Sequence, residues 1–108
     1  MTLAPVHPSG PSFLELIEQW EPLLSERDHA GLTRLRQAGG TLSWQRKVLD
    51  CDDGRVIEHY SVVVHQSGRK APLGVAGPVD YRHHEPASLI RRLVRSAVGQ
   101  ALAKLSLN

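Results

Sequence analysis

The feature that most constrains the fold is an Asp53-Gly54 dipeptide between two runs in which apolar and polar residues alternate. Such alternation places the apolar side chains on one face of a β-strand. Glycine supplies the positive φ that a tight hairpin turn requires. The pattern therefore predicts two antiparallel strands, near residues 41–50 and 55–65, joined by a short turn.

A third strand is predicted after a second turn, QSGRK, in the segment APLGVAGPV. Leu73, Val75 and Val79 are expected to share its apolar face. Pro72 and Pro78 cannot donate hydrogen bonds to a neighbouring strand, so we expect this strand at an edge of the sheet.

Helical spacing of apolar residues flanks the predicted strands on both sides. A capping box at Ser12 begins a helix that should end or kink near Pro22, and a second, shorter helix is expected over 28–38. The last helix begins at Pro86, a residue suited to a first helical turn. Its continuous apolar stripe predicts a core-facing helix and comprises Leu89, Ile90, Leu93, Val94, Ala97, Val98, Ala101, Leu102 and Leu105.

Together these elements predict an α+β fold. It consists of two N-terminal helices, a three-stranded antiparallel β-meander and a long C-terminal helix packed on one sheet face. Residues 1–11, with three prolines, are expected to form a flexible lead-in, and residues 12–108 a single domain. The opposite sheet face, which includes His59 and His65, is left for solvent or a partner.

Several features favour a cytoplasmic protein. No apolar run approaches the roughly 18 residues that span a bilayer, so no membrane association is expected. The N-terminal residues lack the basic and apolar regions of a secretory signal. The single cysteine, Cys51, fits a reducing compartment.

Positive charge is concentrated in the C-terminal half of the chain. Residues 1–30 contain five acidic residues and one basic residue, a net charge of −4, whereas residues 59–108 contain seven basic and two acidic residues, a net charge of +5. Such asymmetry suggests an anionic partner. The predicted binding face lies around the last helix, whose N-terminus also favours phosphate, and comprises Arg69, Lys70, Arg82, Arg91, Arg92 and Arg95.

Nucleic acid is the leading candidate for this partner. The predicted element order resembles the α-β-β-β-α layout of double-stranded RNA-binding domains, and the segment VGQALAKL resembles the end of their last helix. The resemblance is one of layout. The segment HEPASLIRR stands where those domains carry a lysine-rich stretch, and this chain has an additional N-terminal helix.

Two alternatives remain open at this point. The chain could be a protein-binding accessory or inhibitor protein of the kind that mobile elements carry. It would then act through a helix face near Gly99 and Ala103 or through the edge of the sheet, and a homodimer is possible. The arginines could also simply solvate the outer face of a buried helix.

The sequence favours a binding protein over an enzyme. It contains no GxSxG, HExxH or CxxC motif. His83 and His84 are adjacent, so on a helix their side chains diverge by about 100° and do not share one ion easily. We therefore expect no catalytic residue, no metal site and no cofactor.

Overall fold

The computed structural model describes the backbone of residues 4–6, and residues 20–106 with the side chain of His83 excepted. Within these ranges the chain has four strands and two α-helices. In chain order they are β1 (Ala4–Val6), α1 (Glu26–Gln37), β2 (Gly40–Asp50), β3 (Val56–Gln66), β4 (Gly74–Asp80) and α2 (Pro86–Lys104). The predicted α+β class is confirmed.

The β2–β3 hairpin forms as the sequence predicts. Its two strands pair along their whole length, from Gly40 opposite Gln66 to Asp50 opposite Val56. Gly54 has a φ of 85° in the connecting turn, a conformation that other residues rarely adopt. The hairpin is the centre of a sheet with the order β1-β2-β3-β4, in which every neighbouring pair is antiparallel.

Strand β4 lies at the edge of the sheet, as the two prolines predict. The residue that faces the core, however, is Ala76 and not the predicted Val75. Ala76 is buried, whereas Val75 is 42% exposed on the opposite face. Val62 pairs with Ala76 and Tyr60 with Val79, so a β-bulge inserts one extra residue into β4 between these pairs. The expected common face of Leu73, Val75 and Val79 is therefore wrong at Val75.

Two predictions concern the N-terminal residues. The helix expected from Ser12 lies outside the described residues except near its end, where Glu21–Leu23 forms a 3₁₀ turn. Within the predicted lead-in, Ala4–Val6 forms β1, which pairs with Val48–Asp50 and adds a fourth strand to the predicted meander. The remainder of residues 1–11 lies outside the described part.

Helix α1 confirms the shorter N-terminal helix. Ser25 caps it, because the backbone N–H of Asp28 donates a hydrogen bond to Ser25 Oγ at 3.2 Å. Leu32 and Leu35 bury its inner edge. Helix α2 is capped by Glu85, whose carboxylate accepts hydrogen bonds from two backbone amides in the first turn.

We call α1 and α2 together the helix layer. The core lies between this layer and one face of the sheet. Leu93 and Val98 from the predicted apolar stripe of α2 belong to this core, together with Tyr60 and Val62 from β3. Trp44 of β2 packs against it and makes an edge-to-face contact with Trp20, with ring centroids 6.2 Å apart. Within the described ranges, no helix is both long enough and apolar enough to cross a membrane.

Candidate functional site

The predicted basic face is divided between the two ends of α2. Arg82 precedes this helix, and Arg91, Arg92 and Arg95 lie in its first ten residues. Arg69 and Lys70 lie in the turn between β3 and β4. The β3–β4 turn meets the C-terminal end of α2, where Lys104 Nζ lies 3.5 Å from the carbonyl oxygen of Pro72. A helix of this length spans about 28 Å, so the two groups do not form one cluster.

Arg91 and Arg95 turn toward α1 and the residues before it. Arg95 donates to both carboxylate oxygens of Asp28, at 2.9 to 3.1 Å. The side chain of Asp28 is only 8% exposed, whereas that of Arg95 is 62% exposed. Hydrogen bonds from Arg95 lower the pKa of Asp28 although burial opposes the shift. Arg91 is half-buried and lies 3.4 Å from the carbonyl oxygen of Leu23.

Arg82 and Arg92 differ in how far their charge is neutralised. Arg82 pairs with Asp80 at 2.8 Å and also donates to the carbonyl oxygen of Val56 at 3.0 Å. Arg92 lies 3.0 Å from Nδ1 of His84, and no carboxylate within residues 20–106 pairs with it. The positive charge of Arg92 is therefore the more available to an outside anion.

Two arginines of α1 join this surface although the sequence prediction omitted them. Arg27 and Arg34 are exposed, and neither side chain makes a hydrogen bond or ion pair within the described part of the chain. They lie seven residues apart, with Gly31 between them, and so share one side of the helix. No linear motif identifies them, because their relation to α2 appears only when the two helices pack.

The helix layer is strongly positive as a result. It carries seven basic residues against the two acids Glu26 and Asp28, a net charge of +5 in a chain of net charge +2. The basic residues are Arg27, Arg34, Arg36, Arg91, Arg92, Arg95 and Lys104. Arg36 is paired with Glu21 of the preceding turn. The surplus of positive charge thus lies on the face of the molecule that the helices cover.

A groove of about 380 Å³ runs between α1 and α2 on this face. Arg27, Arg34 and Arg95 lie along its rim, together with Asp28. Since Asp28 is paired with Arg95, the rim retains the charges of two arginines. The α1–α2 groove is therefore a basic concavity.

The floor of the groove is apolar and closely packed. Val94, Val98 and Leu102 line it but are at most 5% exposed. Gly31 and Gly99 complete the lining. A Cβ atom at Gly99 would have no heavy atom within 4 Å, whereas one at Gly31 would make ordinary contacts, the nearest at 3.5 Å to Leu102. Neither glycine is therefore demanded by the packing of the two helices.

The outer edge of β4 is partly closed by a side chain of α2. The side-chain amide of Gln100 accepts a hydrogen bond from the backbone N–H of Val75 at 3.1 Å and donates one to its carbonyl oxygen at 2.9 Å. Gln100 thereby occupies the two edge groups that a neighbouring strand would use. The edge route of the protein-binding alternative is correspondingly less accessible.

A polar cluster lies in the middle of the β2–β3 hairpin, where Arg46 is opposite Tyr60. Arg46 pairs with Glu58 and donates to the hydroxyl of Tyr60 at 2.8 Å. The hydroxyl of Tyr81 hydrogen-bonds Glu58, and this bond raises the pKa of Tyr81. Edge-to-face packing of the two tyrosine rings, with centroids 5.3 Å apart, closes the cluster. These contacts connect strands to one another and assign the groups a structural use.

The described residues contain no group of three or more His, Cys, Asp or Glu side chains that could hold a metal ion. Comparisons of the chain with known protein families, curated proteins and solved structures found no match.

Proposed function

We propose that this protein is a non-enzymatic nucleic-acid-binding domain whose helix layer contacts the phosphate backbone. The observation that carries the proposal is the surplus of arginine charge on this layer. The side chains of Arg27 and Arg34 have no acceptor within the described residues, and the polar contact of Arg92 is Nδ1 of His84 rather than a carboxylate. The four arginines around the start of α2 belong to the proposed surface, and Arg69 and Lys70 extend it at the other end.

Arginine suits this task because its planar guanidinium presents a fork of donors that matches two phosphate oxygens. Contacts of this kind neutralise phosphates and release bound cations, so affinity falls steeply as salt rises. They carry no base information, and the expected binding is therefore weakly dependent on sequence.

The proposal is tested by fluorescence anisotropy with labelled DNA and RNA over about 50 to 200 mM salt. Replacing Arg34 and Arg92 with glutamine should reduce the slope of log affinity against log salt by about 1.4 for a single strand and about 1.8 for a duplex. Both residues lack a carboxylate partner within residues 20–106, so folding should be preserved.

The control for the change in charge replaces Lys47 and Arg55 with glutamine, and thermal melting establishes that it is folded, because Arg55 pairs with Asp53 in the hairpin turn. This pair of substitutions changes the net charge equally but lies on the β2–β3 hairpin, away from the helices. The control should bind like the wild type. Equal loss in both variants would contradict the helix layer as the site, and a wild type without salt-dependent affinity for DNA or RNA would contradict the function itself.

A protein partner for the helix layer is the alternative that this experiment separates. If the partner is a protein, the wild type should have negligible affinity for nucleic acid, and its complex with the partner protein should survive nuclease treatment.

A further inference from the structure

We infer that the α1–α2 groove holds the sugar-phosphate backbone of one nucleic-acid strand. This inference rests on the proposed function and names the part of the helix layer that the strand occupies. The groove combines a concave shape with an arginine rim, Arg27, Arg34 and Arg95. Two other concavities hold fewer arginines: one is lined by Lys47 and by Arg46, which pairs with Glu58, and the other by Arg92.

The width of the groove selects a single strand. Two packed helices have axes about 8 to 10 Å apart, so the depression between them admits one extended chain and excludes the body of a duplex. Arg27 and Arg34 are about 10 Å apart along the axis of α1. Both can therefore contact the same strand at different phosphates.

The charge of the groove selects an anion with many acceptors. Arg95 keeps one carboxylate partner, Asp28, while Arg27 and Arg34 have none within the described residues. A phosphodiester chain supplies an acceptor pair at every nucleotide, which is what unpaired guanidinium groups require.

The floor of the groove disfavours an acidic amphipathic helix as the occupant. Such a helix gains affinity by burying its apolar face, but Val94, Val98 and Leu102 are already 0% to 5% exposed. They offer little apolar surface to a partner. A phosphate backbone needs no such surface, because its affinity comes from charge and counterion release.

Gly99 gives a way to block the groove without changing its charge. Nothing lies within 4 Å of a Cβ built at this position, and Gly99 lines the groove, so we expect a leucine there to project into the groove. Gly99→Leu should weaken binding of a labelled oligothymidylate about tenfold at fixed salt. Gly99→Ala, which adds a single methyl group, should bind within about twofold of the wild type.

Thr33→Leu is the control for an added leucine. Thr33 is an exposed residue of α1 outside the groove, so this variant should keep wild-type affinity. Thermal melting of each variant establishes that it is folded. A second measurement offers a labelled polyglutamate peptide to the wild type and to Gly99→Leu.

The outcomes separate the inference from the function on which it rests. If Gly99→Leu binds oligothymidylate like the wild type while the change at Arg34 and Arg92 weakens it, the groove assignment is wrong and the function stands. If polyglutamate binds in a Gly99-dependent manner and oligothymidylate does not bind, the occupant is an acidic protein segment and both proposals fail. Loss of oligothymidylate binding in Gly99→Leu alone, with Thr33→Leu unaffected, supports the groove.

Discussion

Glycines at three positions of this chain meet different surroundings, and their differences show what each residue does. Gly74 lies directly against α2, so a Cβ there would be 2.1 Å from the backbone oxygen of Ala97. Gly77 has a φ of 95°, and a Cβ there would be 2.6 Å from the carbonyl oxygen of Tyr60. Gly99 meets no such limit. The first two glycines are required by the fold, and the third is available for a function.

Alanine substitutions should separate these cases. Gly99→Ala should raise the free energy of unfolding by about 0.5 to 1 kcal/mol, because alanine is the better residue in a helix interior. Gly74→Ala should lower it by about 1 to 3 kcal/mol, because strand and helix must move apart. Urea denaturation measures both, and two variants that shift the midpoint in the same direction would contradict this assignment.

At the scale of the element, each helix has at its N-terminal end a carboxyl group whose pKa is lowered, so that its charged form is favoured. Backbone hydrogen bonds from Ser88 lower the pKa of Glu85, and Arg95 lowers that of Asp28. When the pKa of a carboxyl group is lower in the folded protein than in the unfolded chain, the unfolded chain is protonated at a higher pH than the folded protein. Its contribution to stability is present above the unfolded pKa and is lost as the pH falls through the folded value.

The urea concentration at the unfolding midpoint should therefore decrease as the pH is lowered from about 6 to about 3. Glu85→Gln should flatten this dependence, because glutamine still offers an oxygen to the first helical turn but does not titrate. Its midpoint should be lower than that of the wild type at the higher pH and closer to it at the lower pH. A constant difference between the two proteins would show that the Glu85 charge does not contribute.

The elements that the sequence predicts best are those specified by local signals. The hairpin turn around Gly54 and the start of α2 at Pro86 follow from neighbouring residues alone. The face of β4 does not, because the bulge at Gly77–Pro78 changes which residues face the core. A single inserted residue reverses the alternation, and Val75 consequently points outward.

At the scale of the whole molecule, the candidate site depends on contacts between distant segments. The basic residues of α2 are visible in the sequence as a run around Arg91 and Arg92. The groove is not visible in the sequence, since it joins Arg27 and Arg34 to residues of α2 that are sixty or more positions away. Likewise, Arg95 is predicted from the sequence to bind an outside partner, but in the structure its charge is paired with that of Asp28.

Self-association of the molecule should depend on Gln100, which caps the outer edge of β4. Gln100→Ala exposes the N–H and carbonyl oxygen of Val75, and unpaired edge groups of this kind can pair with the same strand of a second copy. We expect sedimentation velocity to show stronger concentration-dependent association for Gln100→Ala than for the wild type. Gln37→Ala, at an exposed position of α1, is the matched control and should sediment like the wild type. Equal sedimentation of all three proteins would show that the bulge and Pro78, which also oppose strand addition, protect the edge without Gln100.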